Sequence, residues 1–160
     1  MPDSAAALLF RLSTLNTEYA SAIDGDRLEH WPEFFVEDCL YKVTTAENHA
    51  QNLAAGIVYA DSRGMLKDRV AALRKANIFE RQSYRHLIGM PSILSQDSSG
   101  IRCETPFFVA RIVRDGAMSL FATGRYLDLV RDEPGPGLRF VERLAICDSS
   151  RIDTLLAIPL

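Results

Sequence analysis

The chain has 160 residues, 48% of them hydrophobic, and a formal net charge of -3. That length and apolar content suit one domain over residues 1–160 with a sizeable core. The acidic balance and the lack of a Lys/Arg run disfavour nucleic acid as a partner, and no apolar run approaches the roughly 20 residues of a membrane span.

Three cysteines, Cys39, Cys103 and Cys147, are odd in number and far apart, which argues for free thiols in a reducing cytoplasm. No secretory pattern opens the sequence, so the expected location is cytoplasmic. Helix 1 should cover residues 5–23, with Leu8, Leu12, Leu15, Tyr19, Ala22 and Ile23 on one stripe. Gly25 stands where a helix C-cap wants φ > 0. Asp26 and Glu29 then form a capping-box pattern for a short second helix. Leu28, Trp31, Phe34 and Phe35 follow at helical spacing and should drive this elbow into the core, with Pro32 keeping the helix short or kinked. Glu37-Asp38 reads as a polar break before a strand over Cys39–Thr44.

Residues 45–60 carry no clear period. Asp61-Ser62 offers the next N-cap, before a helix marked by Met65, Leu66, Val70 and Leu73, with Asn77 as its C-cap. From Tyr84 onward the period becomes that of strands: Tyr84–Leu94, Arg102–Arg114, Ala117–Val130 and Leu138–Asp148. Turn chemistry joins them, most clearly Asp115-Gly116. Pro91 and Pro106 predict edges, bulges or bends. Helices followed by hairpin-linked strands give an α+β fold, with helices on one face of a curved antiparallel sheet. The later strands are apolar on both parities, so the second face should meet another subunit.

No phosphate loop or dinucleotide fingerprint is present, and His30, His49, His86 and the cysteines never reach metal-ligand spacing. The chemical candidate is a metal-free acid–base pocket of Asp24, Tyr41 and His86, where burial would tune pKa values. Each also has a plain structural reading: a turn carboxylate, a core tyrosine and a satisfied histidine. Arg63, Asp68, Arg69, Arg74, Arg81 and Arg85 form a charged set suited to a solvated face or to ion pairs between subunits. Arg85 and Arg143 interrupt apolar strands, which favours paired guanidinium groups at an interface.

Several segments occur together and in order: W-x-x-F-F-x-x-D-C-x-Y (Trp31 to Tyr41), D-S-x-x-M-L-x-D-R (Asp61 to Arg69), Tyr84-Arg85-His86, F-A-T-G-x-Y-x-D (Phe121 to Asp128), and Cys147-Asp148 through Asp153-Thr154 to Pro159-Leu160. Jointly they resemble the small (β) subunit of aromatic-ring-hydroxylating dioxygenases, the Rieske non-haem iron oxygenases, across nearly the whole chain. Within that family the likeness is to subunits serving aromatic carboxylates, of the salicylate, terephthalate or benzoate type.

The resemblance implies a cone-shaped fold like that of nuclear transport factor 2, and a hexamer of three large and three small subunits. It places the Rieske cluster and mononuclear iron in the large subunit and leaves this chain without cofactor, metal or catalytic residue. Taken with the apolar sheet face, it points to self-association as a trimer, with Arg85, Arg143, Leu155, Leu156 and Ile158 at interfaces. A stand-alone dehydratase or isomerase using Asp24, Tyr41 and His86 is one rival reading, and a ligand-binding adaptor of the same fold is another.

Overall fold

The computed structural model describes residues 3–54, 56–76, 82–151 and 158–160. The chain enters on α1, Ala5–Asp24, whose Ser4 side chain accepts from the Ala7 amide and so caps the helix start. The predicted stripe is the buried one: Leu8, Leu12, Leu15, Tyr19, Ala22 and Ile23 all face the core.

The elbow after it is a seven-residue 3-10 helix, Leu28–Phe34, containing Pro32. Leu28 and Trp31 are buried there, Trp31 completely. Two expectations change at this point. Gly25 has φ -85°, and the left-handed conformation falls on Asp26 at φ 58°. Gly25 is needed for space instead, because a Cβ there would meet the Arg27 guanidinium and lie 2.9 Å from the Ser21 carbonyl. The capping box does not form either, since Asp26 and Glu29 both turn outward to Arg74.

Arg74 comes from α3, Arg63–Lys75, capped by Ser62 as the sequence indicates. It takes the Asp26 carboxylate at 2.8 Å and grips Glu29 with Nε and Nη2. That grip draws the Glu29 pKa from 4.5 down to about 2. A carboxylate with a depressed folded-state pKa contributes stability that is present above about 4.5 and lost as pH falls through about 2. The side chain is largely exposed, so the effect is local and screened. We expect the Glu29 carboxyl to titrate near 2 by NMR and to return toward 4.5 in Arg74→Ala. An unchanged titration in the variant would show that Arg74 is not the cause.

Among the described residues the sheet has seven strands: β1 Phe35–Thr45, β2 Val58–Ala60, β3 Gln82–Ile88, β4 Ser92–Asp97, β5 Gly100–Val113, β6 Met118–Glu133 and β7 Gly137–Cys147. A short helix α2, Ala46–Ala50, leads from β1 toward β2 through the stretch that lacked a clear period. The sheet order is β2-β1-β7-β6-β5-β3, with β4 also on β5, and only β1–β7 is parallel. This is an α+β cone, with α1 and the elbow packed into the concave side.

The expected break at Glu37-Asp38 is instead a bulge inside β1, since the pairing to β7 shifts between Phe35 and Leu40. The expected strand Tyr84–Leu94 is two strands that pair successive halves of β5, with Pro91 in the corner between them. Pro106 lies on β5 opposite that corner, where its carbonyl accepts from Gly89 and the missing N–H goes unneeded. Asp115-Gly116 makes the predicted hairpin, Gly116 at φ 89°. Asn77 lies outside the described residues.

All three cysteines are free and buried. Burial pushes the Cys39 thiol to about 11 and those of Cys103 and Cys147 to about 12. They should therefore stay protonated and inert: a disulfide reagent at pH 8 should label none in the native chain and all three after denaturation. Rapid labelling of native protein would contradict this burial.

Candidate functional site

Arg143 projects from β7 into the core and is 0% exposed within the single chain. Its Nε and Nη2 meet both oxygens of Asp128 on β6 at 2.9 and 2.8 Å, and Nη2 also donates to Asn16 of α1. The rings of Tyr19, Tyr126 and Phe140 enclose the guanidinium at 4.4, 3.8 and 3.9 Å from their centroids. Burial works against the charge, but the Asp128 carboxylate and its hydrogen bonds outweigh that and hold the Arg143 pKa above its ordinary value. The expectation that Arg143 pairs across a subunit interface is thus corrected: its partner is in its own chain. The reason is register, because β6 and β7 place Asp128 directly opposite Arg143 on the concave face.

The candidate pocket divides. Asp24, at the end of α1, accepts from the His86 backbone N–H at 2.8 Å and from its ring Nδ1 at 2.6 Å. Both side chains are buried, and the His86 Nε2 has no hydrogen-bond partner among the described residues. Tyr41 belongs elsewhere. Its ring packs on Trp31 and Phe35, and its hydroxyl bonds the backbone of Leu160, whose carbonyl also accepts from Tyr19 at 2.6 Å. The three predicted pocket residues therefore form a carboxylate–imidazole pair and a separate tyrosine anchor, rather than one acid–base set. Among the described residues no group of three or more His, Cys, Asp or Glu could hold a metal ion.

Of the expected interface residues, Arg85 is exposed, with Asp24 at 4.0 Å, while Leu155 and Leu156 lie outside the described residues. Ile158 packs partly against the core, and Leu160 is wholly buried in it. Arg63 and Arg74 find partners within the chain, Arg63 at the Phe35 carbonyl and Glu37. Arg81 is not among the described residues.

The convex sheet face is mixed. Leu87, Phe108, Met118 and Leu120, on β3, β5 and β6, are 71%, 52%, 75% and 66% exposed. Farther along the same face, cross-strand pairs Arg102–Glu142 and Arg125–Glu104 flank Leu127 and Leu129. Sequence parity shows that both faces carry apolar residues, but it does not show this alternation of apolar patch and charged ladder, and the register shift between Val109 and Ala110 moves Leu120 onto the outer face. Sequence spacing does not reveal Asp128 and Asn16 as the partners of Arg143, although Asp128 ends the F-A-T-G-x-Y-x-D segment and stands as a carboxylate between Leu127 and Leu129.

Residues 18–154 match the family described as ring hydroxylating beta subunit. The chain belongs to that family. It is 51% identical over 150 residues to the terephthalate 1,2-dioxygenase terminal oxygenase component subunit beta 1 of Comamonas sp, covering 94% of this chain and 97% of that one. It is 39% identical over 151 residues to the anthranilate 1,2-dioxygenase small subunit of Burkholderia cepacia, covering 94% and 93%. Its structure superposes on the β subunit of a ring-hydroxylating dioxygenase from Novosphingobium aromaticivorans DSM 12444 with TM-score 0.90, 39% identity, and coverage of 99% and 100%. The resemblance in the sequence and the cone fold thus agree, and this β subunit belongs to an oxidoreductase complex.

Proposed function

We propose that this chain is the structural, non-catalytic small subunit of a terminal oxygenase that hydroxylates an aromatic acid for catabolism. The observation that carries the reading is the packed interior. Among the described residues Trp31, Tyr19, Tyr41, Leu160 and the Arg143–Asp128 pair are buried together on the concave side, and the clefts of about 390 and 320 Å³ that reach Asp24 and His86 are lined by neither Tyr41 nor the buried pair. The exposed apolar strip of Leu87, Phe108, Met118 and Leu120 meanwhile suits a subunit contact. The aromatic-acid substrate is favoured by the terephthalate and anthranilate enzymes among the relatives.

The large subunit would hold the Rieske cluster and mononuclear iron, and three large and three small subunits would assemble in the cytoplasm, the small ones as a trimer. Arg85 and residues 155–158 remain candidates for contacts in that assembly. The test is reconstitution. The purified chain alone should oxidise no aromatic acid, yet should co-purify with its large subunit and restore hydroxylation that the large subunit lacks alone. Failure of the two to associate would sink the reading and favour a stand-alone role for the Asp24–His86 pair.

A further inference from the structure

Among the described residues the sheet has three edge strands, β2, β3 and β4. An unpaired strand edge is a template for another chain, so natural sheets blunt their edges. β2 is only three residues long, and β4 carries a register shift between Ile93 and Ser95. Shortness and a bulge both blunt an edge. β3 has neither. Its seven residues run in unbroken register with β5, and Leu87 stands exposed on it. What β3 has instead is Asp24. Alternate residues of an antiparallel edge strand aim their N–H away from the sheet, and at His86 that donor meets one Asp24 oxygen at 2.8 Å. The other oxygen accepts from the ring Nδ1–H at 2.6 Å.

We propose that the Asp24–His86 pair is an edge guard: it caps the outward His86 amide and so stops a second copy of this chain from adding to β3, strand to strand. This goes beyond the small-subunit reading and does not depend on it. Helix stability does not account for Asp24, because a carboxylate at the C-terminal end of α1 opposes the helix dipole. Both side chains are buried, which also keeps them from a substrate. Arg85 adds to the guard, since its exposed guanidinium lies 4.0 Å from the same carboxylate, and charged side chains along an edge oppose pairing.

The experiment follows amide hydrogen exchange by NMR and sedimentation of the full chain over a range of concentrations. Asp24→Asn keeps a side-chain carbonyl for the His86 N–H, and its NH₂ can donate to Nδ1 once the ring hydrogen moves to Nε2. Asp24→Leu has a similar volume and no acceptor, and Asp24→Ala stands in for it if it does not fold. Melting curves confirm that each variant is folded. Wild type and Asp24→Asn should share slow His86 exchange and one assembly state. In dilute Asp24→Leu the His86 amide should exchange about tenfold faster or more. At higher concentration this variant should sediment as larger species in which the His86 amide regains protection. A folded Asp24→Leu with wild-type exchange, or with no larger species, would overturn the inference. Larger species that leave His86 unprotected would place the contact elsewhere and overturn it too. Asp24→Asn behaving like Asp24→Leu would show that the charge matters rather than the acceptor, in favour of an acid–base pair. If neither apolar variant folds, the pair is a requirement of the core and not a guard.

Discussion

Asp128→Ala should destabilise the chain by about 3–5 kcal/mol, because it leaves the Arg143 guanidinium buried without its counter-charge. The pair is 0% exposed on both sides, so water cannot take the carboxylate's place. Aromatic faces of Tyr19, Tyr126 and Phe140 would soften the loss but offer no acceptor in the plane of the guanidinium. Replacing both partners by apolar residues, Arg143→Met with Asp128→Leu, should recover most of that loss, since two desolvated charges disappear together. Urea unfolding of the two single variants and the double variant measures the coupling. A single-variant cost below about 1 kcal/mol would mean that the core accommodates the lone charge, contrary to the packing described here.

Trp31→Ala should be comparably damaging, at about 3–5 kcal/mol for a large-to-small core change. The indole is 0% exposed and packs edge-on against Phe35 and Tyr41, with centroids 5.9 and 5.1 Å away. Its Nε1–H also donates to the Tyr19 hydroxyl at 3.2 Å. That hydroxyl in turn bonds Leu160, so the cavity would loosen the seal of the cone as well as the elbow. Trp31→Phe, which keeps most of the ring volume, should cost distinctly less. Thermal and urea melts decide it: an alanine variant melting within a degree or two of wild type would show that the elbow does not depend on the indole.

The sequence by itself determined the α+β architecture and most element types, though not α2, β2 or the split of β3 from β4, because hydrophobic period and turn chemistry are local properties. The stripe of α1, the buried elbow around Trp31, the Ser62 cap and the Asp115-Gly116 hairpin all stand where those properties put them. The joined motifs likewise carried the family. The sequence could not determine which charges meet, because that depends on register and on distant elements. Counting back from the β6–β7 turn pairs Val130 with Phe140 and Arg131 with Arg139, and an unbroken ladder would then set Asp128 opposite Glu142. The bulge between Leu129 and Val130 shifts the count by one residue and brings Asp128 to Arg143. One inserted residue thus turned an expected interface arginine into a core ion pair. The same holds for Arg74, which draws Asp26 and Glu29 away from a capping box because α3 packs beside the elbow. It holds too for Asp24 and His86, 62 residues apart, which meet because α1 ends against the free edge of β3. Propensity acts within a few residues, whereas electrostatic partners are chosen by packing between elements, and only the tertiary structure holds that information.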